Sequence, residues 1–481
     1  MKFATITFVL AGSILVGGAN AAPPPLSKGH RLLIENGLQI QGMATKDDVF
    51  SLQRYKDANY TAINWLFDAD PSKHGAASGF SWARWVREPS EMPPRGGEEP
   101  YMGRLFGLSL GDEKNLNDPA VRDPYVEWFK SVRDKYPHTI IYANNYGGQV
   151  NDAALSDFVN RAKPDMIAFD TYPWKSDYTT KKPAPPPGGS PTSWYSELRR
   201  YREHARAAGI PLATYRQSFH ASQDYDKTIY RDPSPSEFRL NTFGALAFNV
   251  TYLIDFTYNT GASSFFKKPG GDTHPTPLYE VLRQANREAR ALGQALVRLK
   301  PIDDIASDNL HTTNIQIIRG KHPADGGEAL NDLPVGFVPD PQGQGVYSDW
   351  EADRNDPYLR GWAVRNTGKT NGGLPGDVII SWFKPLDESF GGAKWKDEIY
   401  IMVTNGLTAF DASAAQTRQQ ITLNFTDTPA TATVQRLSRQ SGKVEELKLP
   451  LVSGRRQLVL ELDGGTGDLF KFKTGAPFVL P

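Results

Sequence analysis

Two carboxylates stand side by side at Asp112-Glu113, directly after the apolar run Leu105-Phe-Gly-Leu-Ser-Leu-Gly111. Behind them, Asp118-Pro119 has the form of a helix start, with Asp as cap and Pro at the first helical position. A buried strand that ends in paired carboxyls and hands over to a helix is the arrangement of a barrel enzyme's catalytic rim. Paired carboxyls there serve general acid–base chemistry. Other apolar runs also end in polar or aromatic groups. Thr139-Ile-Ile-Tyr-Ala143 is followed by Asn144 and Asn145. Met166-Ile-Ala-Phe-Asp170 ends in a carboxylate and leads into Tyr172 and Trp174. Pro211–Tyr215 leads into Arg216, Gln217 and His220, and Thr251–Tyr258 ends in an aromatic ring.

Other chemistries find no support. The 8 histidines lack metal-ligand spacing and no His-Glu-x-x-His occurs, so no metal site is expected. No Gly-x-Ser-x-Gly elbow is present, against an esterase. With 0 cysteines there is no thiol nucleophile and no thiolate metal site. No Gly-x-Gly-x-x-Gly or Walker-type loop follows a strand, so no nucleotide cofactor is expected.

The elements that must hold these residues alternate. Strand-like runs at 38–42, 60–67, 105–110, 139–143, 166–170, 211–215 and 251–258 are separated by helix patterns, among them 118–135, 152–162, 193–208, 234–249 and 276–299. Strand, polar loop and helix in repetition call for a parallel sheet with helical crossovers. Only seven barrel strands are clear; an eighth would have to lie in the Gly/Pro/Glu-rich segment 71–103, which otherwise reads as an irregular loop. Leu32-Leu-Ile34 reads as a short strand before a turn at Glu35-Asn-Gly37, and Lys46–Lys56 as a helix. From about 312 the runs shorten, alternate and are split by Gly, Asp and Asn turns, as in an antiparallel β-sandwich. The expected fold is therefore α/β: a (β/α)8 barrel over 22–311, then an all-β antiparallel sandwich over 312–481. The 319–360 insert has no assignment.

Bulk composition narrows the setting. The 481 residues fit a barrel plus one further domain. The 54 basic and 54 acidic residues balance, which leaves no electrostatic footprint for nucleic acid. Residues 1–21 read as a signal peptide: Lys2, an apolar stretch Phe8–Val16 and Ala19-Asn-Ala21 for cleavage. That stretch is too short to span a bilayer well, so no membrane span is expected. Export without cysteine suggests a bacterial periplasm or exterior.

In the order of its motifs the chain resembles clan-A-type glycoside hydrolases, in particular secreted β-galactosidase-like barrels. The residues that carry the resemblance are Gly111-Asp-Glu113, Phe169-Asp-Thr-Tyr-Pro-Trp174, Tyr215-Arg-Gln-Ser218, Pro235–Arg239, Thr242–Asn249 and Ile254–Tyr258, with Leu460–Phe470 in the tail. The resemblance implies an exported glycosidase acting on an oligo- or polysaccharide, with Glu113 as proton donor. It also implies a Glu nucleophile at the end of the seventh strand, where this chain has Arg216-Gln217. Three readings of the second catalytic group are open. Asp170 supplies it; Asp112 orients a substrate 2-acetamido group, as in substrate-assisted hexosaminidases; or the barrel binds carbohydrate without hydrolysing it. Asn144, Asn145, Tyr172, Trp174, Arg216, Gln217 and Tyr258 are the expected substrate contacts. Two blander readings stand beside these: Arg216 paired to a carboxylate, and Asp255 buried against an arginine.

Overall fold

The computed structural model describes residues 26–45, 50–66, 79–186, 188–223, 227–260, 262–267, 273–302, 315–320, 337–338, 346–347, 358–391, 398–472 and 474–481. The expected signal segment, residues 46–49 of the helix expected at 46–56 and most of the 319–360 insert lie outside them.

Eight parallel strands close into a barrel. They are β1 Gln39–Ala44, β2 Ala62–Trp65, β3 Ser81–Val86, β4 Leu105–Leu110, β5 Ile140–Tyr146, β6 Met166–Asp170, β7 Leu212–Gln217 and β8 Val250–Phe256. The strand missing from the sequence pattern is β3. It lies inside the segment read as irregular, and its register with β2 and β4 completes the closure. Arg84 interrupts its apolar run, and that charge is buried against Glu98 (2.8 Å).

The helices of the barrel region are α1 Lys28–Asn36, α2 Leu52–Asp57, α3 Pro119–Val132, α4 Asp152–Ala162, α5 Thr192–Ala208, α6 Pro235–Ala247 and α7 Pro277–Leu296. Helix α1 corrects the strand expected at 32–34. Ser27 caps it, and Gly29, Leu32 and Leu33 form one buried helical face. Helix α3 starts as its sequence requires, with the Asp118 side chain accepting from the Ala120 amide. No described helix is long and apolar enough to cross a membrane.

Two mainly antiparallel sheets follow the barrel. The larger includes Ile315–Ile318, Val378–Pro385, Tyr400–Asn405, Gly467–Phe472, Thr433–Leu437 and Val444–Lys448; the smaller includes Leu359–Asn366, Gln419–Thr426 and Arg455–Leu462. Leu299–Pro301, directly after α7, already pairs with Val378–Pro385. The larger sheet is covered on both faces. Val378, Ile380 and Trp382 pack into the core between the sheets, whereas Ile379 and Phe383 join the core of the barrel. Double burial explains why this strand reads as a nearly unbroken apolar run.

Helix α6 fills the space between barrel and sheet and is buried on every side. Its first turn is bonded across that junction: Ser234 Oγ donates to the Ala409 carbonyl (2.7 Å). Farther along, Arg239 Nε donates to Thr466 Oγ1 (2.9 Å). Gly465, at φ +69°, lies so close that a Cβ there would meet the Ser236 carbonyl at 2.3 Å. The C-terminal sheets thus buttress the helix that follows β7.

Candidate active site

Glu113 is positioned by a strained turn. Gly111, after the last residue of β4, has φ +58°, and Glu113 has φ +45°. A left-handed backbone costs a non-glycine residue about 1–3 kcal/mol, so something must hold it. The Glu113 amide donates to the Asn144 carbonyl (3.1 Å) and Gln149 Nε2 donates to the Glu113 carbonyl (2.5 Å). Asn145 Nδ2 donates to the Lys114 carbonyl (2.9 Å), and Trp85 Nε1 to the Gly111 carbonyl (2.8 Å). Asn145 is therefore a brace of the Asp112–Lys114 turn and not a group of the cleft, which corrects its expected substrate role.

The period of two separates neighbours in the strand. Asn144 points into the cleft, Asn145 away from it. Asn144 Nδ2 donates to both Asp112 Oδ1 (3.1 Å) and Asp170 Oδ1 (2.8 Å). One amide thus ties together carboxyls from the ends of β4 and β6. Asp112, Glu113, Asn144, Asp170 and Tyr172 share a cleft of about 690 Å³. Trp85 and Tyr146 also line it, as do Tyr215, Phe219, Tyr230, Phe256 and Lys175.

The three carboxyls differ in setting. Asp112 and Glu113 are exposed to water, while Asp170 is buried. The surrounding protein raises Asp112 above the ordinary carboxylate range through partial desolvation. Glu113 is raised by desolvation and then by the charge of Asp112. Asp170 is pushed up to about 8 by burial and then by Glu113; Asn144 opposes this only in part. Three interacting carboxyls titrate as a set, and Asp170 keeps its proton at neutral pH.

This has a consequence for stability. Between about pH 4 and pH 8 an unfolded chain has lost the Asp170 proton that the folded chain retains. Folding takes up a proton there, so stability falls as pH rises through that window. We expect Asp170→Asn to remove this loss. Its thermal midpoint should match the parent's near pH 4 and exceed it by a few degrees at pH 9, given about 1.4 kcal/mol per pKa unit. Equal midpoints at both pH values would show that Asp170 is not held protonated.

Four other expected contacts lie elsewhere. Trp174 is fully buried, and its Nε1 donates to Asn241 Oδ1 (2.7 Å). Tyr258 is buried among Tyr55, Tyr60, Phe50 and Phe266. Arg216 faces away from the cleft and forks onto Asp255 (2.7 and 2.8 Å), the blander of the readings for both residues. Gln217 is buried and spends its amide on backbone groups. All four are corrected from substrate contact to packing or internal hydrogen bonding.

Of the aromatic wall, the expected substrate contacts include only Tyr172. Tyr172 meets Phe219 at 4.9 Å between ring centres and Phe256 at 5.9 Å, and Phe219 meets Tyr230 at 5.3 Å. Tyr215 and Phe256 sit near strand ends and would have been found had the phase of β7 and β8 been known. Tyr230 and Lys175 arrive on a small antiparallel sheet that pairs Thr228–Tyr230 with Lys175–Asp177, a contact no local pattern announces. Among the described residues, no group of three or more His, Asp or Glu could hold a metal ion.

No family model and no curated protein matches the chain. Solved structures overlap it weakly. A β-galacturonidase from Eisenbergiella tayi shares 12% identity at TM-score 0.34, over 52% of this chain and 51% of that one. The catalytic module of a family 98 glycoside hydrolase from Streptococcus pneumoniae shares 7% at TM-score 0.38, over 93% and 99%. A rhamnosidase from Novosphingobium sp. PP1Y shares 11% at TM-score 0.39, over 75% and 39%. The chain spans about half the length of the galacturonidase it matches. At such identity these likenesses carry no information on the groups in the cleft.

Proposed function

We propose that the protein is a glycoside hydrolase that works at the cleft around Glu113, with Glu113 as proton donor to the leaving oxygen. The observation that carries this reading is the convergence of three carboxyls, two of them water-accessible and raised, beside a wall of aromatic rings. Acid-assisted cleavage of a glycosidic bond needs a carboxyl that still holds its proton when substrate binds. Aromatic faces suit the apolar faces of sugar rings. Among the described residues, the lining carries Asp112, Glu113 and Asp170 against one cation, Lys175, which favours an uncharged sugar over an anionic one.

The setting of Asp170 bears on the second catalytic group. A carboxyl that keeps its proton to about pH 8 is a poor nucleophile. Asp112, held by the same Asn144 and open to the cleft, is better suited to orient a reacting group of the substrate. This favours the substrate-assisted reading, in which a 2-acetamido group attacks the anomeric carbon.

Paired aryl glycosides test both parts. Hydrolysis of 4-nitrophenyl 2-acetamido sugars with the matching 2-hydroxy sugars left intact supports assistance by substrate. Cleavage of 2-hydroxy sugars alone returns the role to a protein carboxylate. Binding of an oligosaccharide with no release of reducing ends across a broad panel leaves a carbohydrate-binding protein and sinks the enzyme reading.

A further inference from the structure

Gln217 occupies the end of β7, the position at which the resemblance implied a carboxylate. It is fully buried, and its amide makes three bonds to main chain. Oε1 accepts from the Trp174 amide (2.9 Å); Nε2 donates to the carbonyls of Trp174 (2.8 Å) and Arg231 (2.9 Å). The two segments it joins are also bonded to each other, Arg231 N to the Trp174 carbonyl (3.1 Å). They lead into the small sheet and carry Tyr172 and Lys175 on one side and Tyr230 on the other, all lining the cleft. The Arg231 guanidinium adds a bond to the Lys175 carbonyl (3.1 Å) and forks onto Glu237 (2.7 and 2.5 Å), in the first turn of α6.

We infer that Gln217 is a positioning residue for substrate: a clasp that holds the 172–177 and 228–231 segments together as the aromatic wall of the cleft, anchored through Arg231 to α6. The inference rests on the glycosidase reading for what the wall binds, but not for the clasp itself. Only a primary amide meets this site's demand for one acceptor and two donors. A carboxylate there would set an acceptor against two carbonyl oxygens, so a glutamate is excluded by hydrogen bonding and not merely absent. The position cannot become a nucleophile without opening the wall.

The test compares Gln217→Glu, Gln217→Met and, at a less buried site, Arg231→Gln with the parent protein. Amide hydrogen exchange in 172–177 and 228–231 should accelerate at least tenfold in the Gln217 variants, most in Gln217→Glu, and less in Arg231→Gln, while α3 exchanges as in the parent. On the aryl glycoside that the parent hydrolyses best, KM should rise about tenfold or more with kcat within a few-fold.

Unchanged exchange in both segments overturns the clasp. A fall in kcat at constant KM overturns the positioning role, since Gln217 would then act on the chemistry. Accelerated exchange with unchanged KM also overturns it, because the wall would not touch substrate. If the parent hydrolyses no glycoside of the panel, the glycosidase reading fails, while the exchange comparison still decides the clasp.

Discussion

Glu113→Gln should abolish cleavage of unactivated glycosides while leaving their binding intact. The amide has the carboxyl's shape but no acidic proton, and general acid assistance contributes about 10²–10⁴-fold. The main chain should not move. Its left-handed conformation is held by Asn144, Gln149 and the Asn145–Lys114 contact, none of which uses the Glu113 carboxyl. Thermal stability should stay level or rise slightly, because the substitution removes a partly desolvated charge beside Asp112.

The deciding comparison is between leaving groups. An alkyl glycoside needs protonation as its bond breaks; a 2,4-dinitrophenyl glycoside departs as a stable anion and does not. The variant should lose on the order of 10³-fold on the first and far less on the second. Equal losses on both would mean that Glu113 is not the proton donor. The alkaline limb of the parent's pH–rate profile should also disappear. That limb reports loss of the Glu113 proton as pH rises through its raised pKa.

The carboxyl pair and the barrel were legible because each rests on local signals. A strand that ends in a polar group before a capped helix leaves its mark within about fifteen residues, as Leu105–Pro119 does. The antiparallel sheets were legible through their turns. What was hidden depends on phase or on distant partners. In a parallel barrel both faces of a strand are buried, so no alternation of polar and apolar residues says which side looks into the cleft. Asn144 could not be told from Asn145, nor Tyr215 from Arg216, until the register was known, and Gln217 is withdrawn from the cleft by main-chain partners distant in sequence. Strand β3 was obscured by Arg84, whose partner Glu98 lies on a later turn. Trp174 and Tyr258 follow strand ends as a binding aromatic would, but the helices and loops that cover them belong to other parts of the chain. Leu32–Ile34 is three apolar residues long, too short for its period to separate strand from helix.

The costliest substitution for the fold should be Asp255→Ala. Asp255 and Arg216 are adjacent across β8 and β7 and wholly buried against α6 and α7. The guanidinium makes four hydrogen bonds: Nε and Nη2 on Asp255, Nη1 on Thr242 Oγ1 (2.9 Å) and Nη2 also on Asn286 Oδ1 (2.9 Å). The Tyr60 hydroxyl donates to Asp255 Oδ2 (2.6 Å), and Asn286 Nδ2 in turn holds the Ala58 carbonyl (2.8 Å). The pair therefore knits β7 and β8 to α6, α7 and the segment entering β2, at the point where the barrel closes. Removing the carboxylate leaves an arginine charge buried without its counter-charge, a loss of about 3–5 kcal/mol. Against a typical total of about 5–15 kcal/mol, that is enough to put much of the chain out of the folded state at 37 °C. Chemical denaturation should show a lower midpoint at an unchanged slope. The double variant Arg216→Met/Asp255→Leu should recover much of the loss, because it removes both buried charges and keeps the volume. If Asp255→Ala proves as stable as the parent, water reaches this pair, and the closure of the barrel rests on packing alone.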